Sequence, residues 1–369
     1  MGCRFCKVFK QGFAVIRLFK FWAFFLLLIT QAHCVEESSS STWNTELPTR
    51  IAFGSCADQE KPQPVLNKAR ERDLDFFIFL GDNIYGDSHD MQVLRDKYAK
   101  LGAKPEFQAL WEDARVLSIW DDHDYGENDA GREYPMKEQS QEIFLDFWKV
   151  PADSPRRQRP GIYGAHRFTQ GDRALQIILL DTRFFRDPLK ANPDPLPENY
   201  PFKNVYQPDS TPQKTLLGES QWKWLEKQLS KPADIRIICS SIQFSHEYNG
   251  WESWTNLPVE QKRMMDLIRK TRANGVVFIS GDVHWGEISR RVPDKGYPIY
   301  DVTASGITED WEVVERNQYR IGDQVVQDNH FGMLTIDWDR PVPRLTMEII
   351  DVHGVSRIRH SVELSKLRH

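Results

Sequence analysis

Four short stretches of this sequence concentrate residues able to bind cations or move protons: Gly54-Ser55-Cys56, Gly81-Asp82-Asn83-Ile84-Tyr85, Asp121-Asp122-His123-Asp124 and Gly281-Asp282-Val283-His284. Each follows a short apolar run of the kind that forms a buried strand. An aspartate after a strand is most often a turn residue or a helix cap, so any one stretch alone says little. Together they say more. Carboxylates and imidazoles aimed into one cavity repel one another unless cations lie between them, and such ligands hold cations well. The chemistry implied is metal-dependent.

The strands that must position these residues are expected at Arg50–Phe53, Leu74–Leu80, Val116–Trp120, Ala174–Leu180, Ile235–Ser241 and Val276–Ser280. Helices are expected between them at Val65–Arg72, Gln139–Trp148, Glu219–Leu229 and Val259–Ala273. Near-continuous apolar strands separated by helices imply a covered sheet. After Gly281 the pattern turns to strands almost alone, at Tyr297–Thr303, Met333–Trp338, Leu345–Asp351 and Ser356–Val362. An α/β front and a β-rich tail fit two packed sheets flanked by helices. Phe184–Thr215 is Pro-rich, polar and aperiodic, and reads as an excursion near the site.

From about Arg50 to the C-terminus the chain resembles the PhoD-like alkaline phosphatases, a branch of the calcineurin-like metallophosphoesterases. The resemblance rests on Phe53-Gly54-Ser55-Cys56, Gly81-Asp82-Asn83-Ile84-Tyr85, Trp120-Asp121-Asp122-His123-Asp124 and Gly281-Asp282-Val283-His284. Leu217-Gly218-Glu219-Ser220-Gln221-Trp222-Lys223-Trp224-Leu225 also matches the family's helix before the fourth ligand strand. Metallophosphoesterases in general open with Asp-x-His, use Gly-Asn-His-Asp/Glu in third place and close with Gly-His-x-His; this chain departs at each, in the PhoD-like direction. The architecture implied is a four-layer α/β/β/α sandwich of two packed mixed sheets flanked by helices. Members often carry an N-terminal β-sandwich; with only a short tail before Arg50, that domain is expected to be missing here.

The departures have chemical meaning. Cys56 would supply a thiolate and Tyr85 a phenolate, both hard to deprotonate without a strongly Lewis-acidic metal. The resemblance implies Fe3+ there, with Ca2+ beside it; the bland alternative for Cys56 is a buried structural thiol. By the same resemblance Asp82 bridges the two metals. Asp122 stands where the wider family has an Asn ligand and Asp282 where it has a His, which moves the second position from zinc toward an oxygen-loving ion. His284 falls to the iron side. The mechanism implied is attack by a metal-bound hydroxide, with His123 as general acid and Asp124 orienting its ring. Asp121 has no assigned role. Asn83 and Asn128 are candidates for phosphate or metal contact, or turn residues. Gln243 or Ser245 stands where the wider family places another His ligand, with Gln243 taken as a candidate for substrate. Trp251 and Trp254 either wall the substrate or cover the core. Cys239, inside an apolar strand, reads as core.

Composition bounds the rest. With 40% hydrophobic and 27% charged residues the chain is globular, and its net charge of −5 carries no basic excess for nucleic acid. Arg4, Lys7, Lys10, Arg17 and Lys20 precede the apolar run Phe21–Thr30, so residues 1–34 read as a secretory signal peptide or a retained signal anchor. Export follows, with transient membrane contact through that segment. His33 does not suit a lipoprotein cleavage site before Cys34, and Cys6 does not suit a myristoylation signal. Cys3 and Cys6 lack a second pair for a metal. Residues 35–49 form a polar, Ser-rich linker and 50–369 one catalytic domain, expected as a monomer. Phosphate esters are the expected substrates, monoesters or diesters, including phospholipid or polymeric diesters in a phospholipase C/D-like variant. A secreted metal- and phosphate-binding protein without turnover is the alternative from another class.

Overall fold

Within residues 46–369, which the computed structural model describes, the chain alternates strands with helices and then turns to strands alone. The first part runs β1 (Arg50–Gly54), α1 (Pro64–Arg70), β2 (Phe76–Leu80), α2 (Met91–Gly102), α3 (Pro105–Asp113), β3 (Arg115–Ile119), α4 (Asp122–Tyr125), α5 (Lys137–Phe147), β4 (Gly164–Gln170) and β5 (Arg173–Leu179). It continues through β6 (Lys190–Ala191), β7 (Tyr206–Gln207), α6 (Gly218–Leu229), β8 (Ile235–Cys239), α7 (Pro258–Thr271) and β9 (Val276–Ser280). The tail is β10 (Gly286–Arg291), β11 (Ile299–Ala304), β12 (His330–Asp337), β13 (Arg344–Asp351) and β14 (Ser356–Glu363). The expected signal segment and the linker up to Thr45 lie outside the described residues. No helix among the described residues is long and apolar enough to cross a membrane.

Two six-stranded mixed sheets result, ordered β14-β13-β12-β1-β2-β3 and β10-β11-β9-β8-β5-β4. β2 is Phe-Phe-Ile-Phe-Leu and buried throughout, as a strand covered on both faces must be. Its alternation assigns the faces. Phe76 meets Phe168 of β4 at 5.3 Å, across the gap between the sheets. Phe79 points the other way, to Phe107 of α3 at 5.7 Å and to Trp148 at 5.2 Å. On the second sheet, Gln176 of β5 donates to the Gln228 carbonyl of α6 at 3.3 Å, and α6 packs on α7. Helices therefore cover the outer face of each sheet, giving the expected four-layer sandwich.

The central strands were readable as apolar runs; β4 and β10 were not. Both are edges of the second sheet, and edges need bury less, so Gly-Ala-His-Arg-Phe-Thr-Gln and Gly-Glu-Ile-Ser-Arg-Arg carry little apolar signal. Helix α2 also escaped notice, although Leu94, Tyr98 and Leu101 bury one face and Asp90 caps it by accepting from the Gln92 amide.

What matters for function is where the parallel strands end. β1, β2 and β3 run parallel in one sheet, and β5, β8 and β9 in the other. Ligands bind outside the carboxyl ends of such strands. The loops there touch: the Cys56 amide donates to the Gly81 carbonyl at 3.3 Å and the Gly281 amide to the Ser241 carbonyl at 2.9 Å. Two glycines make the approach possible. A Cβ on Gly281 would lie 2.3 Å from Ser55 Oγ, and one on Gly81, at φ +106°, 2.4 Å from Asp121 Cβ.

Candidate metal centre

Cys56 follows β1, Asp82 and Tyr85 follow β2, Asp122 and His123 open α4 just after β3, and Asp282 and His284 follow β9. At these points the backbone leaves the sheet in left-handed conformations: φ is +61° at Cys56, +49° at Asp82, +77° at Asp282 and +62° at His284. Such a φ costs an L-residue about 1–2 kcal/mol, and strain of this kind concentrates where function sets the backbone. It turns the side chains inward together.

Ligand atoms of Cys56, Asp82 and His284 lie within 4.8 Å of one another, and so do those of Asp82, Asp121, Asp122 and Asp282. Asp82 belongs to both, and to a further group with Asp122 and His123. Its carboxylate is thus within reach of one group that offers sulfur and imidazole and of another that offers oxygen alone. The Tyr85 phenol is buried beside them, and neither its oxygen nor Asp82 Oδ1 finds a hydrogen-bond partner.

The electrostatics ask for positive charge. Burial pushes the Cys56 thiol up to about 12. Asp82 and Asp282 rise well above the usual carboxylate range, through burial and then neighbouring negative charge. Tyr85 rises for the same reasons. Groups that resist ionisation only because they are buried together become ligands once a cation supplies the missing charge. The donor set thus fits metal ions.

Asp122 behaves differently: burial would raise it, but Arg183 and His123 outweigh burial and hold it well below the ordinary value. Arg183 is fully buried behind the pocket. It pairs with Asp121 at 2.5 Å and with Glu252 at 2.5 Å, and Arg186 reaches Glu252 at 3.1 Å. A second wholly acidic group, Asp122, Asp129 and Glu252, lies on this side. Ser305 secures the other: its hydroxyl lies 3.1 Å from Cys56 Sγ and accepts from the His284 amide at 2.9 Å.

Several expectations need correction. Asp124 does not orient His123. Its carboxylate accepts from the amides of Asp121 at 2.7 Å and Asp82 at 3.2 Å and from the Asn83 side chain, which ties the β2 and β3 loops together. The Asn83 amide nitrogen also donates to the Ile119 carbonyl at 2.9 Å, while its buried Oδ1 has no hydrogen-bond partner, and Asn83 is not among the residues lining the cavity. Gln243 also points away, donating to Glu287 and Thr303 at 3.0 Å each. His246 falls in none of the metal-ligand groups among the described residues. Of the two tryptophans, Trp251 lines the cavity and Trp254 is core. Val205 and Tyr206, from the Pro-rich excursion, line the cavity too.

The partner of His123 is Asp87, whose two oxygens lie 2.8 and 2.9 Å from Nδ1. Burial would lower this imidazole, but the charge of Asp122 and the Asp87 contact outweigh it and raise the ring to about 9. In the metal-free protein the ring therefore holds its proton more tightly than a free imidazole does, with Asp87 on Nδ1. Asp87→Asn should lower the pH at which His123 loses that proton and slow esters with basic leaving groups about 10-fold or more. An unchanged ring titration by NMR would contradict this.

Comparison with known proteins agrees with the geometry. The family model described as PhoD-like phosphatase matches residues 51–316. Alkaline phosphatase D of Bacillus subtilis is 27% identical over 274 residues, covering 63% of this chain and 45% of the relative. The chain thus spans less than half the length of that protein. A solved structure described as the structure of PhoD matches with a TM-score of 0.64 at 20% identity, over 88% of this chain and 72% of the other. A dimetal phosphatase from Danio rerio matches with a TM-score of 0.52 at 14% identity, over 86% and 100%. At these identities the structures speak for the fold.

Proposed function

The chain belongs to the PhoD-like phosphatase family, and on that premise we propose that it is a metal-dependent phosphoesterase, hydrolysing phosphate esters at the pocket between the two sheets. The observation that carries the reading is Asp82, shared by three ligand groups and left with an unpartnered buried oxygen. Cations, when bound there, would supply Lewis acidity to the phosphoryl oxygens and lower the pKa of a coordinated water. Cys56, Tyr85 and His284 would hold one ion and Asp122 and Asp282 the other, with Asp82 reaching both. His123, protonated and steadied by Asp87, donates its proton to the departing alkoxide oxygen. Arg183 holds Asp121 and Glu252 in place behind the carboxylates, so the ligand geometry is fixed before substrate arrives. Phosphate release from a panel of monoesters and diesters by the purified chain tests the reading; a metal-replete protein inert toward every ester would defeat it.

Thiolate and phenolate donors support Fe3+ at the first position, and the all-oxygen set supports Ca2+ at the second. Iron bound to Tyr85 should give a visible charge-transfer band that Tyr85→Phe abolishes. An active, colourless protein carrying only zinc or magnesium would exclude the ferric assignment. The cationic and then apolar N-terminal segment supports export, with cell fractionation as its test.

A further inference from the structure

One wall of the cavity is aromatic. Trp251 and Trp311 meet edge to face at 5.9 Å, and Trp311 meets the His284 ring at 5.9 Å in the same manner. Val205 continues the wall. Trp311 is 40% exposed and Val205 41%, and Trp311 is the one aromatic among the large apolar residues so exposed in residues 46–369. An exposed tryptophan at the mouth of a cavity of about 420 Å³ marks a binding surface rather than a packing remnant.

The wall is built in advance. The Gly250 carbonyl, next to Trp251, accepts from the amides of Val205 at 3.0 Å and Tyr206 at 2.8 Å, and the Trp251 amide donates to Asn249 at 2.9 Å. Gln327 donates to the Trp311 carbonyl at 2.7 Å. Backbone anchored this way loses little freedom on binding.

Charge narrows the ligand. No lysine or arginine is among the residues lining the cavity, while Asp82, Asp122, Asp129, Glu252 and Asp282 are. Nearby Lys203 is already paired with Glu315 at 2.6 Å. Beyond the metal ions, then, nothing invites a second phosphate or a polyanionic chain. What remains is a ring-shaped apolar surface, which offered tryptophan edges and faces recognise better than a flexible chain does.

We propose that the Trp251–Trp311 wall selects phosphate esters that carry a flat aromatic substituent. The inference rests on the phosphoesterase reading and adds the substrate class. Calorimetry on the purified full-length chain would compare phenylphosphonate, methylphosphonate and octylphosphonate. Phenylphosphonate should bind about 10-fold more tightly than methylphosphonate, and more tightly than octylphosphonate. Trp311→Ala should remove that advantage and Trp311→Phe should keep most of it. Equal binding of the phenyl and methyl probes, a preference for the octyl chain, or a phenyl preference that survives loss of both tryptophans would overturn the proposal. Turnover measured in parallel separates the two readings: aromatic preference without hydrolysis refutes the catalytic reading, and hydrolysis without aromatic preference refutes the wall.

Discussion

Replacing Asp82 by asparagine is expected to strip the protein of metal and of turnover together. The amide keeps the shape of the carboxylate but offers one weak oxygen where two anionic ones face two ion positions. Losing an outer partner of a metal ligand typically costs about 10–100-fold in affinity or activity, and loss of the shared ligand should exceed that. Stability should move in opposite directions in the two states. Burial and the surrounding carboxylates raise Asp82 well above its ordinary value, so the folded metal-free protein holds its proton more tightly than the unfolded chain. Its contribution to stability is then complete below the unfolded value and lost as pH rises through the folded one. At neutral pH the metal-free Asp82→Asn variant should melt higher than the metal-free parent, and the metal-loaded variant lower than the loaded parent. Normal metal content with full activity would refute the shared-ligand role.

The second large effect separates catalysis from binding. His123→Ala should keep the metals and phosphate affinity while slowing esters with basic leaving groups by about 10²- to 10⁴-fold. Aryl esters with acidic leaving groups need little proton help and should suffer far less. Against burial, Asp122 and Asp87 raise the ring in the metal-free protein, and the help fades once the ring loses its proton, so the comparison belongs below the ring's titration point as measured in the metal-loaded protein. Equal losses on both ester types, or loss of metal, would move His123 to a ligand or structural role.

Much of this candidate site could be read from sequence because its proposed ligands sit immediately after apolar strands. Asp82, Asp122 and Asp282 announced themselves as carboxylates where a strand has just ended. The residues that escaped reading arrive by other routes. Asp87 lies in the same loop as Tyr85, but only the turn at φ +44° brings it beneath His123. Arg183 closes Asp181-Thr182-Arg183 just past β5, a strand-end cluster like the others, and an arginine does not read as part of a cation site. Glu252 and Asp129 reach the pocket from irregular loops, where spacing carries no face information. Asp124 was misplaced for a related reason: adjacency to His123 suggested contact, yet on the short helix α4 neighbouring side chains point apart. In the fold, β2 and β9 were plain because both faces are covered, while β4 and β10 were hidden by their place at a sheet edge.

The central claim is that Asp82 stands between two ions. Anomalous diffraction from crystals of the metal-loaded protein tests it directly. Two peaks should flank the Asp82 carboxylate, one within bonding distance of Cys56, Tyr85 and His284 and the other of Asp122 and Asp282. A single peak, or peaks that leave Asp82 outside bonding distance, would contradict the account.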